Sequence, residues 1–143
     1  DVCSSDLFKG LSNPFYSVDS CEYQIIQPNH EKMKAAGARV LAIEKERPHV
    51  PLERAVMGIR FSEWMVGTQF HAEADEPGMY EYLNREDKKK QVIEDHGQEK
   101  WENMVASLSD PEKIQRTYQT VIPQFLQEAL RNIEANRQPD IFH

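Results

Sequence analysis

The sequence contains only two cysteines, Cys3 and Cys21, among its 143 residues. This number excludes the disulfide framework of a small secreted domain and a cysteine-based zinc site. No apolar stretch approaches the roughly 20 residues that a membrane-spanning helix requires, and the first residues lack the basic and apolar regions of a signal peptide. We therefore expect a cytoplasmic protein with no membrane partner.

Positive charge is also scarce, because 17 lysines and arginines stand against 24 aspartates and glutamates, for a net charge of −7. A nucleic-acid-binding surface normally shows a basic stripe, so no nucleic-acid partner is expected. The one basic run, Lys88 to Lys90, is flanked by Glu86, Asp87 and Glu94 and indicates a solvated helix face. An apolar content of 39% is ordinary for a folded globular protein.

Residues 1–7 read D-V-C-S-S-D-L and resemble the translation of a common sequencing adaptor. We treat them as a non-native segment and exclude them from the fold prediction, as a tag would be excluded. Cys3 is therefore not considered as a nucleophile. The native chain is expected to continue upstream of Phe8.

Two regions with different residue patterns follow. We predict that residues 8–84 are part of an α/β domain and that residues 85–138 form a helical extension. Five strands are predicted in the first region, at residues 15–18, 23–26, 39–43, 54–61 and 63–70. Only a tight turn near Ser62 separates the last two, which predicts a hairpin within a small β meander. The last run lacks polar alternation, as is typical of a strand that is covered on both faces.

Capping residues predict where the first helices begin and end. Asn29 is suited to cap a brief helix that stops at Gly37. Asp75 is suited to cap a second helix. Asn84 is the predicted cap of a third, which stops at Gly97.

Two further helices are predicted from apolar residues that recur at helical spacing. The first carries the stripe Trp101, Met104, Val105 and Leu108. The second begins at Asp110-Pro111, and Pro123 within it predicts a kink near residues 119–121. Its predicted core face comprises Ile114, Tyr118, Val121, Ile122, Phe125, Ala129 and Ile133.

The segment that carries chemistry is residues 66–73, V-G-T-Q-F-H-A-E. A predicted strand ends at Phe70 and delivers His71 and Glu73 into the loop beyond its carboxyl end, where open α/β sheets place reactive groups. A carboxylate beside a histidine can fix the imidazole tautomer and stabilise the imidazolium that forms when the ring accepts a proton. Such a histidine is suited to activate a cysteine thiol. On its own, H-x-E also fits an ordinary solvated loop histidine.

This segment resembles the G-x-Q-F-H-P-E signature that ends the catalytic strand of class I glutamine amidotransferases. The matching residues are Gly67, Gln69, Phe70, His71 and Glu73. Residues 7–10 (L-F-K-G) resemble the family's L-F-x-G-L segment, and residues 37–42 resemble another of its strands. The tail after Asp75 is similar to that of GMP synthase-like amidotransferases that lack a fused synthetase domain.

The resemblance implies the carboxy-terminal part of a flavodoxin-like or Rossmann-like α/β domain, with a small β meander and a helical extension. It also implies a Cys-His-Glu triad that hydrolyses the side-chain amide of glutamine and passes ammonia to an acceptor, such as a synthetase subunit or domain. His71 and Glu73 would be catalytic, with no cofactor. The G-x-C-x-G turn that carries the family's nucleophile is missing, so the fragment alone is expected to be inactive.

The chain departs from the family's pattern at two other places. Ala72 replaces the proline between histidine and glutamate. The segment Ser20-Cys21-Glu22 corresponds to the family's Ser-His-x-Asp substrate loop but lacks its histidine, so Ser20 and Cys21 are candidate substrate-binding residues. Cys21 has no flanking glycines to make a strained nucleophile turn and is not expected to be the nucleophile.

Two other functions are compatible with the sequence. Related folds hydrolyse γ-glutamyl peptides or transfer acyl groups, and the altered loop at Ser20 is compatible with such substrates. The chain could instead be a non-catalytic helical module that binds a partner through an exposed stripe. That stripe would comprise Trp101, Met104, Tyr118 and Phe125.

The remaining candidate ligands and bases are weaker. A metal site made of His71, Glu73 and Asp75 is not expected, because the three lie in one short loop without a second cluster. The other histidines are predicted to lie in a surface helix, in a loop, at a helix end and at the terminus; they are His30, His49, His96 and His143.

Overall fold

The structure, a computed structural model, describes residues 6–21 and 23–136. It has a mixed α/β fold in which a three-stranded antiparallel sheet precedes a series of helices. The strands, in sheet order, are β1 (Arg39–Ile43), β2 (Val56–Ser62) and β3 (Met65–Thr68). The α-helices are α1 (His30–Ala35), α2 (Glu76–Asn84), α3 (Glu86–His96), α4 (Gln98–Leu108) and α5 (Arg116–Asn136).

The sheet confirms three of the predicted strands and the hairpin. Ile59 of β2 pairs with Val40 of β1 on one side and with Gly67 of β3 on the other, and both pairings are antiparallel. The predicted β meander is therefore present. The prediction that the last strand is covered on both faces is wrong, because β3 is an edge strand whose Met65 is 56% exposed.

The two earlier predicted strands, at residues 15–18 and 23–26, do not form. Val18 makes one isolated bridge to His71, and the carbonyl of Ile25 accepts a single bond from the amide of Val56. Each segment therefore makes one backbone contact with its neighbour where a strand would make a ladder. Tyr23, at 85% exposed, shows how little apolar surface the second segment buries.

The core lies between the sheet, a short 3-10 turn at Asp6–Phe8 and α5. Its buried members are Leu7, Phe8, Leu41, Ala42, Phe70, Ala72 and Val121. The rings of Phe8, Phe15 and Phe70 stack against one another with centroids 5.4 to 6.3 Å apart. Leu7 was set aside with the adaptor-like segment, yet its side chain is 1% exposed in this core; residues 1–5 of that segment lie outside the described residues.

Two of the predicted helix caps are confirmed by hydrogen bonds. The side chain of Asn29 accepts from the amide of Lys32, and that of Asp75 accepts from the amide of Gly78. The prediction for α3 is wrong, because the residue at its N-cap is Arg85 and the side-chain amide of Asn84 donates to a carbonyl of the preceding helix instead.

The final helix differs from its prediction in the position of its irregularity. Pro123 lies inside a continuous α5, and the break falls earlier, at Lys113 in a wide helical turn over Pro111–Gln115 (φ −97°, ψ −122°). The core face is centred on Val121 and Thr117, which are buried, whereas Tyr118 is 42% exposed.

A membrane span is not found among the helices of residues 6–21 and 23–136, since none combines the necessary length with sufficient apolar character.

Candidate active site

His71 is held just beyond the end of β3 by buried neighbours on both sides. Phe70 is 3% exposed and Ala72 is 7% exposed, so both side chains point into the core. In the turn that follows β3, the side chains of His71 and Glu73 are exposed, while Ala72 between them is buried. The apolar residues around the histidine therefore direct it into solvent-accessible space.

Two backbone hydrogen bonds and one side-chain hydrogen bond hold the same segment. The amide of His71 donates to the carbonyl of Val18 at 2.8 Å, which joins the turn after β3 to the segment that continues to Ser20. The amide of Gln69 donates to the carbonyl of Met57 at 2.9 Å, which extends the hairpin by one bond. The hydroxyl of Thr68 donates to the carbonyl of Phe70 at 2.9 Å. The imidazole consequently projects from a backbone with little freedom to move.

The imidazole of His71 and the carboxylate of Glu73 form a hydrogen-bonded pair. Nδ1 of the ring lies 2.7 Å from Oε1 of the carboxylate, and the two side chains are 48% and 65% exposed. This bond with His71, followed by a bond to its own backbone amide, lowers the pKa of the Glu73 carboxyl below its ordinary value. Glu73 is therefore an ionised acceptor at neutral pH.

The pairing decides which ring nitrogen can act as a base. An ionised carboxylate only accepts hydrogen bonds, so Nδ1 must carry the proton that it shares with Glu73. In the neutral ring Nε2 is then the unprotonated nitrogen, and no described residue hydrogen-bonds to it. This arrangement has the geometry of a general base with an orienting carboxylate.

The pair opens into a cleft of about 620 Å³ between the loop at residues 18–20 and the helices α2 and α3. Ser20, one of the two predicted substrate-binding residues, lines this cleft together with His71 and Glu73. The opposite wall includes Lys88 and His96 of α3. A cleft of this size is within the range of small-molecule sites.

Cys21, the other predicted substrate-binding residue, does not line the cleft. Its thiol is exposed and lies 3.5 Å from the carbonyl of Gln69, to which it can donate a weak hydrogen bond. Its amide donates to the carboxylate of Asp19. The structure therefore brings Ser20 to the His71 cleft and places Cys21 behind it, on the carbonyl side of the strand.

Five charged or titratable residues of the cleft were not predicted as site residues: Asp19, Tyr82, Lys88, Asp95 and His96. Asp19 precedes the predicted loop motif by one residue, and Lys88 was assigned to a solvated helix face. His96 was recognised only as a residue at a helix end, and it is the last residue of α3. The docking of α3 beside the turn after β3 brings Lys88, Asp95 and His96 to the His71 cleft, and helical spacing carries no signal of that docking.

The remaining candidates lie apart from the site. His30 is exposed on α1, and His49 is exposed in the loop between β1 and β2. Asp75 is used as the α2 cap. Within residues 6–21 and 23–136 the structure has no group of three His, Cys, Asp or Glu side chains that could hold a metal ion. His143 and Cys3 lie outside the described residues.

The helical stripe considered for partner binding is largely turned inward. Trp101 is half-buried, donates from Nε1 to the carbonyl of Leu83 at 3.0 Å and is covered by the ammonium of Lys89 at 3.9 Å from its ring. Met104 is half-buried beside the cleft, and Phe125 packs against the core. Tyr118 is the exposed member of the four.

Comparison with protein-family models, with curated proteins and with solved structures found no match to this chain.

Proposed function

We propose that this chain is the carboxy-terminal part of a class I glutamine amidotransferase-like domain, in which His71 and Glu73 form two members of a Cys-His-Glu triad. The single observation that carries the proposal is the 2.7 Å bond between His71 Nδ1 and Glu73 Oε1. It leaves Nε2 as the free base at the edge of a substrate-sized cleft. The G-x-Q-F-H-x-E pattern of residues 67–73 is a second, independent support.

The finer fold assignment belongs to the same proposal. The three-stranded meander and the helices from α2 onward would be the distal part of a flavodoxin-like or Rossmann-like domain. The helical extension would be that of a GMP synthase-like member. The edge position of β3 is compatible with this, because an edge strand leaves backbone groups available for pairing with a further strand.

In the proposed reaction the nucleophile is a cysteine supplied by residues upstream of this chain. Its sulfur attacks the side-chain amide carbon of glutamine, and His71 Nε2 takes the thiol proton and then gives it to the departing nitrogen. Ammonia leaves and a thioester remains. Water, deprotonated by the same imidazole, then releases glutamate and restores the thiol, so the sum is glutamine and water to glutamate and ammonia.

Glu73 acts through His71 in this scheme. Its carboxylate holds the ring in the Nδ1-protonated tautomer and stabilises the imidazolium during each proton transfer. The family's proline is Ala72 here, but the burial of that methyl group performs a similar positioning role by fixing the backbone between the two side chains. Backbone amides near the upstream cysteine would stabilise the oxyanion.

The position of Ser20 supports binding of the substrate on the side of the cleft opposite α3. A γ-glutamyl peptide or an acyl donor would use the same triad, so these remain the alternative substrates. Ammonia production from free glutamine, measured against release from γ-glutamyl compounds, separates them. The ammonia acceptor would be a synthetase subunit or domain.

The test compares two forms of the protein. The intact protein, which would carry the upstream G-x-C-x-G segment, is expected to release ammonia from glutamine. The 143-residue chain alone is expected to release none. If the short chain were active and lost that activity on His71→Ala, the assignment of the nucleophile to an upstream segment would be wrong. An intact protein without any cysteine-dependent hydrolysis would refute the proposal as a whole.

A further inference from the structure

Lys88 is a half-buried cation in the wall of the His71 cleft that has no anionic partner among the described residues. Its ammonium lies 3.2 Å from the neutral side-chain oxygen of Gln91 and 5.5 Å from the centre of the Tyr82 ring. By contrast, Lys90 on the same helix lies 3.8 Å from the carboxylate of Glu94 and is 75% exposed. Lys88 therefore makes no direct ion pair with a described residue, and its ammonium is available to an anionic group of a ligand.

The contacts of Lys88 hold the ammonium at the cleft. Gln91 is three residues further along α3 and lines the same cleft, as does Tyr82 of α2. An amide oxygen and an aromatic face both orient a cation without cancelling its charge. Such an ammonium is prepared to accept a carboxylate from a ligand, and a bond between charged groups is among the stronger polar contacts.

The other charges of the cleft restrict what that ligand can be. Carboxylates of Asp19, Glu73 and Asp95 line it together with Lys88. A simple dianion would meet these negative charges, whereas a zwitterion could place its carboxylate at Lys88 and its ammonium near an acidic side chain. The charge pattern thus favours a free amino acid over a glutamine residue inside a polypeptide, whose α-groups are uncharged amides.

We infer that Lys88 binds the free α-carboxylate of the substrate and that α3 is thereby a specificity element of the site. This inference rests on the proposed function, since it assumes that glutamine or a γ-glutamyl compound occupies the His71 cleft. It assigns to the helical extension a role in selecting the substrate. It also restricts the substrate class to compounds whose glutamyl α-carboxyl group is unmodified.

Equilibrium binding to the intact protein tests the inference without requiring turnover. Glutamate, the product, is a suitable probe because it is not consumed, and isoglutamine differs from it only in having an amide at the α-carboxyl. We expect Lys88→Ala to weaken glutamate binding about tenfold, the effect of losing one charged hydrogen bond. Lys88→Arg should retain most of the affinity, and isoglutamine should bind the wild type weakly and show no dependence on Lys88.

Lys90→Ala is the matched control, because it removes the same charge from the same helix outside the cleft, and its glutamate affinity should equal that of the wild type. The inference is overturned if Lys88→Ala binds glutamate normally, if isoglutamine binds as well as glutamate, or if glutamate does not bind at all. Binding that depends on Lys88 without any ammonia release from glutamine would keep this inference and refute the catalytic proposal. Ammonia release with unchanged affinity in Lys88→Ala would do the reverse.

Discussion

The guanidinium of Arg60 in β2 lies 2.7 Å from the carboxylate of Glu128 in α5. The arginine side chain is only 8% exposed, so this ion pair lies at the interface between the sheet and the last helix with little water around it. Nε of Arg60 is buried without a hydrogen-bond partner among the described residues. The bond to Glu128 is therefore the main compensation for burying the arginine charge.

Replacing Glu128 with glutamine should destabilise the protein markedly. The neutral amide leaves the buried Arg60 charge uncompensated, and breaking a buried pair in this way costs on the order of 2–4 kcal/mol. Urea denaturation followed by circular dichroism measures the loss. Glu134→Gln on the exposed face of the same helix is the control and should change the free energy of unfolding by less than about 0.5 kcal/mol. Equal effects of the two substitutions would show that the pair does not join the sheet to α5.

His71→Ala should raise the pKa of the Glu73 carboxyl toward its ordinary value of 4.5, because the hydrogen bond from His71 is the largest cause of the lowering. A group whose folded pKa is lowered contributes stability above its unfolded pKa and loses that contribution as the pH falls through the folded pKa. The stability difference between wild type and His71→Ala should therefore shrink below about pH 4.5. Both side chains are largely exposed, so the difference is small even at neutral pH.

The titration of Glu73 can be followed directly by carbon NMR of its side-chain carboxyl. His30→Ala provides the control, since His30 lies on α1 away from the carboxylate. An unchanged Glu73 pKa in His71→Ala would mean that the ring does not donate to the carboxylate in solution.

Gly78→Ala should give a different result depending on the residue at position 75. An alanine methyl group at Gly78 would lie 2.7 Å from the Asp75 carboxylate oxygen that caps α2, so the cap must move. Alanine is better than glycine in a helix by about 1 kcal/mol, and a lost cap costs about as much. In the wild type the two effects should cancel, whereas in an Asp75→Ala background Gly78→Ala should stabilise by about 1 kcal/mol.

A double-mutant cycle in thermal or urea denaturation measures this coupling. The prediction is wrong if Gly78→Ala changes the free energy of unfolding equally in both backgrounds, because the methyl group at position 78 would then not disturb the Asp75 cap.

The parts of the fold that could be predicted from the sequence are those that local chemistry decides. Residues 39–43 combine β-type side chains with clear boundaries, and they form β1 over the predicted range. Asn29 and Asp75 have side chains that accept from amides at the start of a helix, and both do so. The hairpin could be predicted because only the short turn near Ser62 separates the two apolar strands, so that each is the other's nearest neighbour in sequence.

The failures arise where a tertiary contact decides the outcome. Val18 lies beside His71 with a single bond, so the β-type residues before it have no ladder to join. The non-helical residue Lys113 lies just before α5, whereas Pro123, where a kink was predicted, lies within the helix. The sequence indicates a surface position for Lys88, and only the packing of α3 beside the loop of Ser20 brings it to the cleft.

The candidate site divides in the same way. His71 and Glu73 are two residues apart and could be paired from sequence alone, because side chains at this spacing in a turn can reach each other. Ser20 required the family pattern to be linked to them. No sequence signal connects Asp19 and His96 with His71 and Glu73, because only the tertiary packing of the chain brings them to the same cleft.

The most direct test of the account is the rate of ammonia release from glutamine by the intact protein when each cleft histidine is removed in turn. His71→Ala should lower kcat by about a hundredfold to ten-thousandfold, the usual contribution of a general acid–base group. Glu73→Gln should give a smaller loss, and His96→Ala, which removes an imidazole from the same cleft, should retain most of the activity. A His71→Ala enzyme with the kcat of the wild type would contradict the account.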